Sequence, residues 1–313
     1  MSSRRWSARC GSGSSRPGGP GCARDPSCSR GVALVTVTWL LALMTLLAGA
    51  ALTIARTSSR LAANRVAVAQ AELLADSAIR RALLSLLETD ARQRWPVTGQ
   101  PIAFHHRGDI ISVRISDESG RIDINGAEAG LLSAAFAASG ISEPQARSLA
   151  ARMIDWRDAD DEPLPLGAER TEYLARATGY GPRNAPFESV DEMWLVAGMP
   201  RELRTRVAPL FTVYTGQSAV NEAAASVAVR GVLEWAERHD WDGRQWLSGP
   251  VASSESGRST AGRVFRINAA VAGVSELATL DREAVVRITG DLRRPMLVYS
   301  WSTAPTRALP DAQ

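Results

Sequence analysis

Between Gly31 and Ala55 the chain carries 25 consecutive residues without a charge. A helix needs about 20 apolar residues to cross the hydrocarbon core of a bilayer. The stretch is therefore long enough to span, and the residues on either side must be placed relative to a membrane. Six arginines and one aspartate precede Val32, and Arg56 closes the run. The positive-inside tendency keeps the basic flank cytoplasmic and sends everything after Arg56 across the inner membrane into the periplasm, as a single-pass protein.

The same flank accounts for the apparent basicity of the chain. The formal charge of the 313 residues is +3, but residues 1–31 alone hold +5 and the remainder sets 30 Arg against 32 acids. A slightly acidic body gives no electrostatic footprint for nucleic acid. Cys10, Cys22 and Cys28 all precede Gly31, so loss of the leader would leave no disulfide, thiolate ligand or cysteine nucleophile. His105, His106 and His239 have no metal-ligand spacing; the first pair is expected at the surface, near a strand end. There is no Ser/His/Asp arrangement, phosphate-cradling Gly-rich loop or His/Glu metal motif, so the expectation is a protein that is not an enzyme and takes no organic cofactor.

The leader does not have the order of a secretory signal, in which a short apolar stretch is followed promptly by a small-residue cleavage site. A long Gly/Ser/Arg-rich segment comes first and Gly31 stands just before the run. Cleavage at Gly31–Val32 would leave the whole apolar helix on the mature chain; an unprocessed signal anchor fits the same physics. No Gly or Pro occurs between Gly49 and Pro96. Leu61, Val66, Leu73, Ile79, Leu83 and Leu86 recur at helical spacing. One helix is thus expected from about Val32 to Arg94, apolar all round at first and then amphipathic, with its second half needing a sheet as cover.

Ile111, Val113 and Ile115 alternate with polar or exposed positions as a half-buried strand does. A turn at Asp117–Gly120 and a short strand over Arg121–Asn125 complete an expected hairpin. From Gly126 to Pro209 the pattern is helical. Leu131 to Phe136 fit one helix, Pro144 begins another, Phe187–Val196 a third, and a fourth runs to Val207. Leu210–Tyr214 returns to strand, a helix follows over about Glu222–Arg238, and Gly249–Gly262 reads as a flexible loop. Strands around Phe265–Val271, Val286–Ile288 and Leu297–Trp301 suit an antiparallel meander. The fold class is α+β: a long N-terminal membrane helix packed on an antiparallel sheet, with an all-helical domain inserted between strands. The expected divisions are a leader 1–31, membrane helix 32–55, amphipathic helix and first strands 56–125, helical insert 126–209, remaining sheet 210–303 and a loose tail 304–313.

Two features of the insert invite chemistry. The glycine turns at Ser139-Gly140-Ile141 and Ala197-Gly198-Met199 resemble helix-hairpin-helix units, which grip phosphates through backbone amides. Between Asn125 and Pro209, however, 13 acids face 9 Arg, and a net negative surface repels a polyanion. Asp155, Asp158, Asp160, Asp161, Glu162 and Glu169 crowd into 15 residues. Such a loop suits a hard cation, which wants six to eight oxygens, and equally suits a solvated acidic surface paired with Arg157 and Arg170.

A basic leader ending in Gly, a helix half apolar and half amphipathic, and a following sheet resemble type IV pilin-like proteins. Gly31-Val32-Ala33-Leu34 with Trp39–Leu43, then Asp155-Trp156-Arg157-Asp158, Gly167-Ala168-Glu169, Tyr173, Asp191-Glu192 and Gly198-Met199, resemble the K-type minor pseudopilin of type II secretion. The resemblance covers about Arg30 to Ser302. It implies a prepilin peptidase cut after Gly31 with methylation of Val32, and partnership with I- and J-type minor pseudopilins and the major pseudopilin. It also implies a calcium ion with Asp155, Asp158, Asp160, Asp161 and Glu169 as candidate ligands, and no nucleic acid. Most pilins carry Glu where this chain has Thr36, and the same departure marks the K-type branch. The implied role is a non-enzymatic subunit at the tip of the secretion pseudopilus. The alternatives are a membrane-anchored helix-hairpin-helix DNA receptor and a minor pilin of a true type IV pilus.

Overall fold

The computed structural model describes residues 28–106, 109–176, 179–241, 260–275 and 278–303. The leader with Cys10 and Cys22, most of the Gly249–Gly262 loop and the tail from Ala304 lie outside the described residues. The chain divides into compact units 1–63 and 64–313. Helix α1 spans Cys28–Leu87, and its sequence from Val32 is long and apolar enough to cross a membrane. Every side chain from Val32 to Val66 is exposed.

The cover arrives later along α1 than the periodicity suggested. Leu61, Val66 and Leu73 remain exposed, whereas Ala71, Ala75, Ala78, Ile79, Ala82, Leu83 and Leu86 are buried. Their three- and four-residue spacing makes one helical face, and the alanines let the sheet approach closely. Helix α1 stops at Leu87, short of Arg94. Asp90 accepts from the Arg92 amide at 2.9 Å, Arg94 Nε donates to Glu88 O at 2.6 Å, and the Trp95 amide donates to Ser85 Oγ at 2.6 Å. Local side-chain bonds of this kind compete with helical ones.

The strands are β1 (Ile102–His106), β2 (Asp109–Asp117), β3 (Ile122–Asp123), β4 (Phe211–Thr212), β5 (Val264–Ser275), β6 (Ala278–Asp291) and β7 (Arg294–Thr303). Five of them form an antiparallel sheet in the order β1-β2-β5-β6-β7. Ile111, Val113 and Ile115 face α1 together with Phe265, Ile267, Ala269, Val271, Ala284, Val286 and Ile288 in one core. The hairpin partner of β2 is β1; the expected strand after Gly120 instead pairs in parallel with β4, as Ile122↔Phe211 and Asp123↔Thr212, in a separate two-stranded sheet.

Register locates the insertion. Asp117, the last residue of β2, lies opposite Phe265 at the start of β5. The chain therefore leaves one strand end and returns to its neighbour, with β3 and β4 clasping the two limbs. Inside are α2 (Ala129–Ala138), α3 (Glu143–Arg157), α4 (Arg170–Ala175), α5 (Arg204–Val207) and α6 (Val227–Arg238). Helix α6, placed by sequence on the sheet side of the 209/210 division, shares its core with α2 and α3 through Val229, Val232, Leu233 and Ala236. Trp241 Nε1 also donates to Ser133 Oγ at 3.0 Å. Helix α6 begins at Val227, not Glu222, because Ser226 Oγ caps the Val229 amide at 3.3 Å.

The two glycine turns differ. Gly140, at φ 95°, closes α2: its amide reaches Ala137 O at 3.0 Å and the Ile141 amide reaches Phe136 O at 3.2 Å. This is a Schellman end, for which glycine is the natural residue. Gly198 lies between short 3-10 segments at Val190–Leu195 and Arg201–Leu203. The expected helix over Phe187–Val196 is only this 3-10 segment, so the second turn does not join two α-helices.

Candidate functional site

The acidic loop follows α3, and each residue of the Asp155–Asp158 stretch has its own task. Asp155 is fully buried and accepts the Leu164 amide at 3.2 Å and the Ala168 amide at 2.7 Å. It folds the loop back under α3. Gly167 is required there, because a Cβ would stand 1.9 Å from Asp155 Oδ2. Trp156 lies among Tyr173, Tyr180 and Phe187, stacked on Phe187 at 6.1 Å between ring centroids, and its Nε1 donates to Glu192 Oε1 at 3.1 Å. Arg157 donates to Ile124 O, and to Ala127 O at 2.8 Å, tying α3 to the start of the helical body.

Asp158 is left to point elsewhere. Oxygens of Asp158, Asp160 and Glu169 lie within 4.8 Å of one another. Asp158 Oδ1 and both carboxylate oxygens of Glu169 are buried and have no hydrogen-bond partner among the described residues. Asn184 donates Nδ2 to Asp160 O at 3.0 Å and to Asp161 Oδ1 at 2.9 Å, while its own Oδ1 is buried and unpartnered. Burial raises the Glu169 pKa to about 7, reinforced by Asp155, Asp158, Asp161 and Asp160. Burial also raises Asp158, with Asp160 and Asp155 adding repulsion. Unpartnered buried carboxylates held together fit a hard divalent cation, whose charge reverses this cost.

Of the five candidate ligands, the structure thus brings three together. Asp155 spends both oxygens on amides and Asp161 accepts from Asn184. The Gly31–Val32 pair lies within α1, and Val32 is exposed. Thr36 donates Oγ1 to Ala33 O at 2.9 Å, so its hydroxyl is satisfied within the helix.

Sequence reasoning missed the buried charges at the base of the helical body. Asp123, buried in β3, accepts from the amides of Asn125, Thr215 and Gly216, each at 2.8 Å. Glu118 accepts from Arg266 and Thr212, and Arg263 pairs with Asp117. Asp117-Glu118-Ser119-Gly120 reads as a turn, and only the register of β2 on β5 reveals the arginines opposite it.

Residues 114–216 match the family model described as type II secretion system (T2SS), protein K. Over these residues the chain is similar to type II secretion system protein K. Two relatives carry that description. The one from Pseudomonas aeruginosa is 29% identical over 226 residues, which are 65% of this chain and 67% of the relative. The one from Klebsiella pneumoniae is 31% identical over 203 residues, 58% of this chain and 61% of the relative. A chain in the crystal structure of the GspK-GspI-GspJ complex from the enterotoxigenic Escherichia coli type 2 secretion system shares the fold. Its TM-score is 0.54 at 21% identity, over 80% of this chain and 99% of that one. The protein K match includes the acidic loop, both glycine turns and the buried acids Asp117, Glu118 and Asp123.

Proposed function

We infer that the chain is a minor pseudopilin of a type II secretion system, a structural subunit and not an enzyme. One observation carries this. Helix α1 has a membrane-length apolar part whose side chains are exposed among the described residues, and from Ala71 its face is buried on the sheet, while the sheet carries the body that matches protein K. An apolar helix of this kind holds a subunit in the inner membrane, with the leader cytoplasmic and the body periplasmic, until it packs beside the helices of other subunits. Prepilin peptidase would cut between Gly31 and Val32 and methylate Val32.

Leu61, Val66, Val68, Leu73 and Leu84 are exposed apolar positions on α1 that run up to and into its sheet-bound part. They suit I- and J-type companions, as in the complex named for the solved relative, and the major pseudopilin. The helical body is inserted between the paired strands β2 and β5 at one end of the sheet, and its bulk there favours the filament tip. Thr36 has no carboxylate to pair with a neighbour's N-terminal amine, in keeping with a terminal place. Calcium held by Asp158, Asp160 and Glu169 would brace the loop after α3. A DNA receptor and a true type IV minor pilin have no comparable support.

The test is N-terminal sequencing with mass measurement of the mature protein from membranes. Methylated Val32 is expected; an intact Met1, or a start beyond Ala55, would overturn the assignment.

A further inference from the structure

Arg152 and Arg176 come together beside Gly198. Arg152, on α3, donates Nη1 to Ala197 O at 2.9 Å. Arg176 is the residue that ends α4. A Cβ on Gly198 would stand 2.4 Å from Arg152 Nη1 and 3.8 Å from Arg176 Nη1. The missing side chain thus makes room for the Arg152 guanidinium and brings the Arg176 guanidinium to the same turn. The φ of Gly198, 82°, already demands glycine, so the backbone and the space agree.

The pair lacks a counter-charge. Arg152 is half-buried, with Nε buried and unpartnered, and neither arginine forms an ion pair with a carboxylate among the described residues. The other partly buried arginines of the body are compensated. Arg121 pairs with Glu118, Arg147 with Glu143, and Arg157 has the charges of Asp123 and Asp158 nearby. Burial and the neighbouring Arg176 both lower the Arg152 pKa, yet a guanidinium remains charged. The Tyr173 hydroxyl, which accepts the Ala197 amide at 2.9 Å, has its pKa pushed up to about 12 by burial and supplies no negative charge.

Two guanidinium groups brought to one turn suit a carboxylate or a phosphate, which accepts from several N–H donors at once. We propose that Arg152 and Arg176 bind a single oxyanion, a carboxylate or a phosphate, at the Gly198 turn. The net negative charge of the surrounding body opposes a polyanion but not one such group. The site is separate from the acidic cluster, and it stands or falls independently of the place of the chain in a filament.

The experiment is calorimetric titration of the full chain in detergent micelles. One arm uses inorganic phosphate; the other uses an acetylated, amidated tetraglutamate peptide. Sodium chloride at matched ionic strength is the reference. Saturable binding of either probe is expected, and the tighter one identifies the source of the oxyanion. Arg176 is exposed, so Arg176→Gln should fold normally and weaken binding about tenfold, the loss of one charge-assisted contact. Arg176→Lys should recover part of it. Arg152→Gln should abolish binding while thermal unfolding confirms a folded chain. No saturable response beyond chloride, or unchanged binding in Arg176→Gln, would overturn the proposal. So would duplex DNA binding that neither small probe competes away.

Discussion

Glu118 and Arg266 meet through two parallel hydrogen bonds, Nε to Oε1 at 2.7 Å and Nη2 to Oε2 at 3.0 Å, where the helical body leaves the sheet. Thr212 on β4 donates to the same carboxylate at 2.5 Å. One buried side chain therefore joins the five-stranded sheet to the clasp of the insert. Burial alone would raise the Glu118 pKa, but Arg121, Arg266 and Thr212 outweigh it and hold the group below its ordinary value.

Glu118→Gln should lower stability by about 3 kcal/mol, because removing one partner leaves a desolvated charge behind. Thermal unfolding of the full chain measures it. Replacing both partners, Glu118→Leu with Arg266→Met, should cost less than the single change. The sign with pH follows from the lowered folded pKa. The contribution is complete above the unfolded carboxylate value and is lost as pH falls through the folded one. An acid limb that is unchanged in Glu118→Gln would count against this assignment.

How far these features were legible in the sequence depends on their range. The membrane run follows from its unbroken apolar composition, α2 from a short apolar stretch between turn signals, and β2, β5 and α3 from local periodicity, since each buries one face. The Asp155–Asp158 stretch was visible as a cluster of charge. Its division of labour was not, because Asp155 looks like its neighbours until the Leu164 and Ala168 amides are placed beside it. The pairing of Ile122 with Phe211 joins limbs 89 residues apart, and no local pattern encodes it. Helix α6 is strongly amphipathic, but periodicity gives a buried face without saying which core receives it.

Asp76 clips α1 to the far edge of the sheet. Its Oδ1 accepts from Arg282 Nε at 3.0 Å and Trp301 Nε1 at 2.9 Å, and its Oδ2 from Arg282 Nη2 at 3.2 Å. These bonds outweigh burial and lower its pKa. Asp76→Asn should cost about 1–2 kcal/mol, with Trp301→Phe smaller, since bonds to a charged group exceed neutral ones. Thermal unfolding followed by circular dichroism reports both. A loss in Asp76→Asn no larger than in Trp301→Phe would show that Arg282 contributes nothing.

The acidic cluster predicts opposite pH behaviour with and without calcium. In the metal-free chain the Glu169 pKa is raised to about 7. The folded state then holds a proton that the unfolded state releases, so stability falls as pH rises from the ordinary carboxylate range towards 7. Calcium should remove this slope and release protons on binding near pH 6.5. Glu169→Gln should flatten the metal-free slope and weaken calcium binding at least tenfold. Asp155→Asn should lower stability and, by removing the first of the carboxylates that repel Glu169, reduce the proton release without abolishing it. Chelator-treated protein whose unfolding temperature is independent of pH, and unmoved by calcium, would rule the site out.

Thr36 tests the filament argument at the level of one side chain. Its hydroxyl is satisfied by Ala33 O, so the helix presents no polar group in search of a neighbour. A carboxylate here would be unpaired in lipid, at a cost of up to about 3 kcal/mol near the bilayer centre, unless a neighbouring subunit brings its N-terminal amine. Thr36→Glu should therefore lower the amount of chain retained in membranes when it is expressed alone. Co-expression of the major pseudopilin should restore the level and add cross-links along the filament, away from its tip. Quantitative immunoblotting of membranes and site-directed cross-linking from α1 read both effects. Equal membrane levels and an unchanged cross-link pattern would mean that the side chain at this position does not set the place of the subunit.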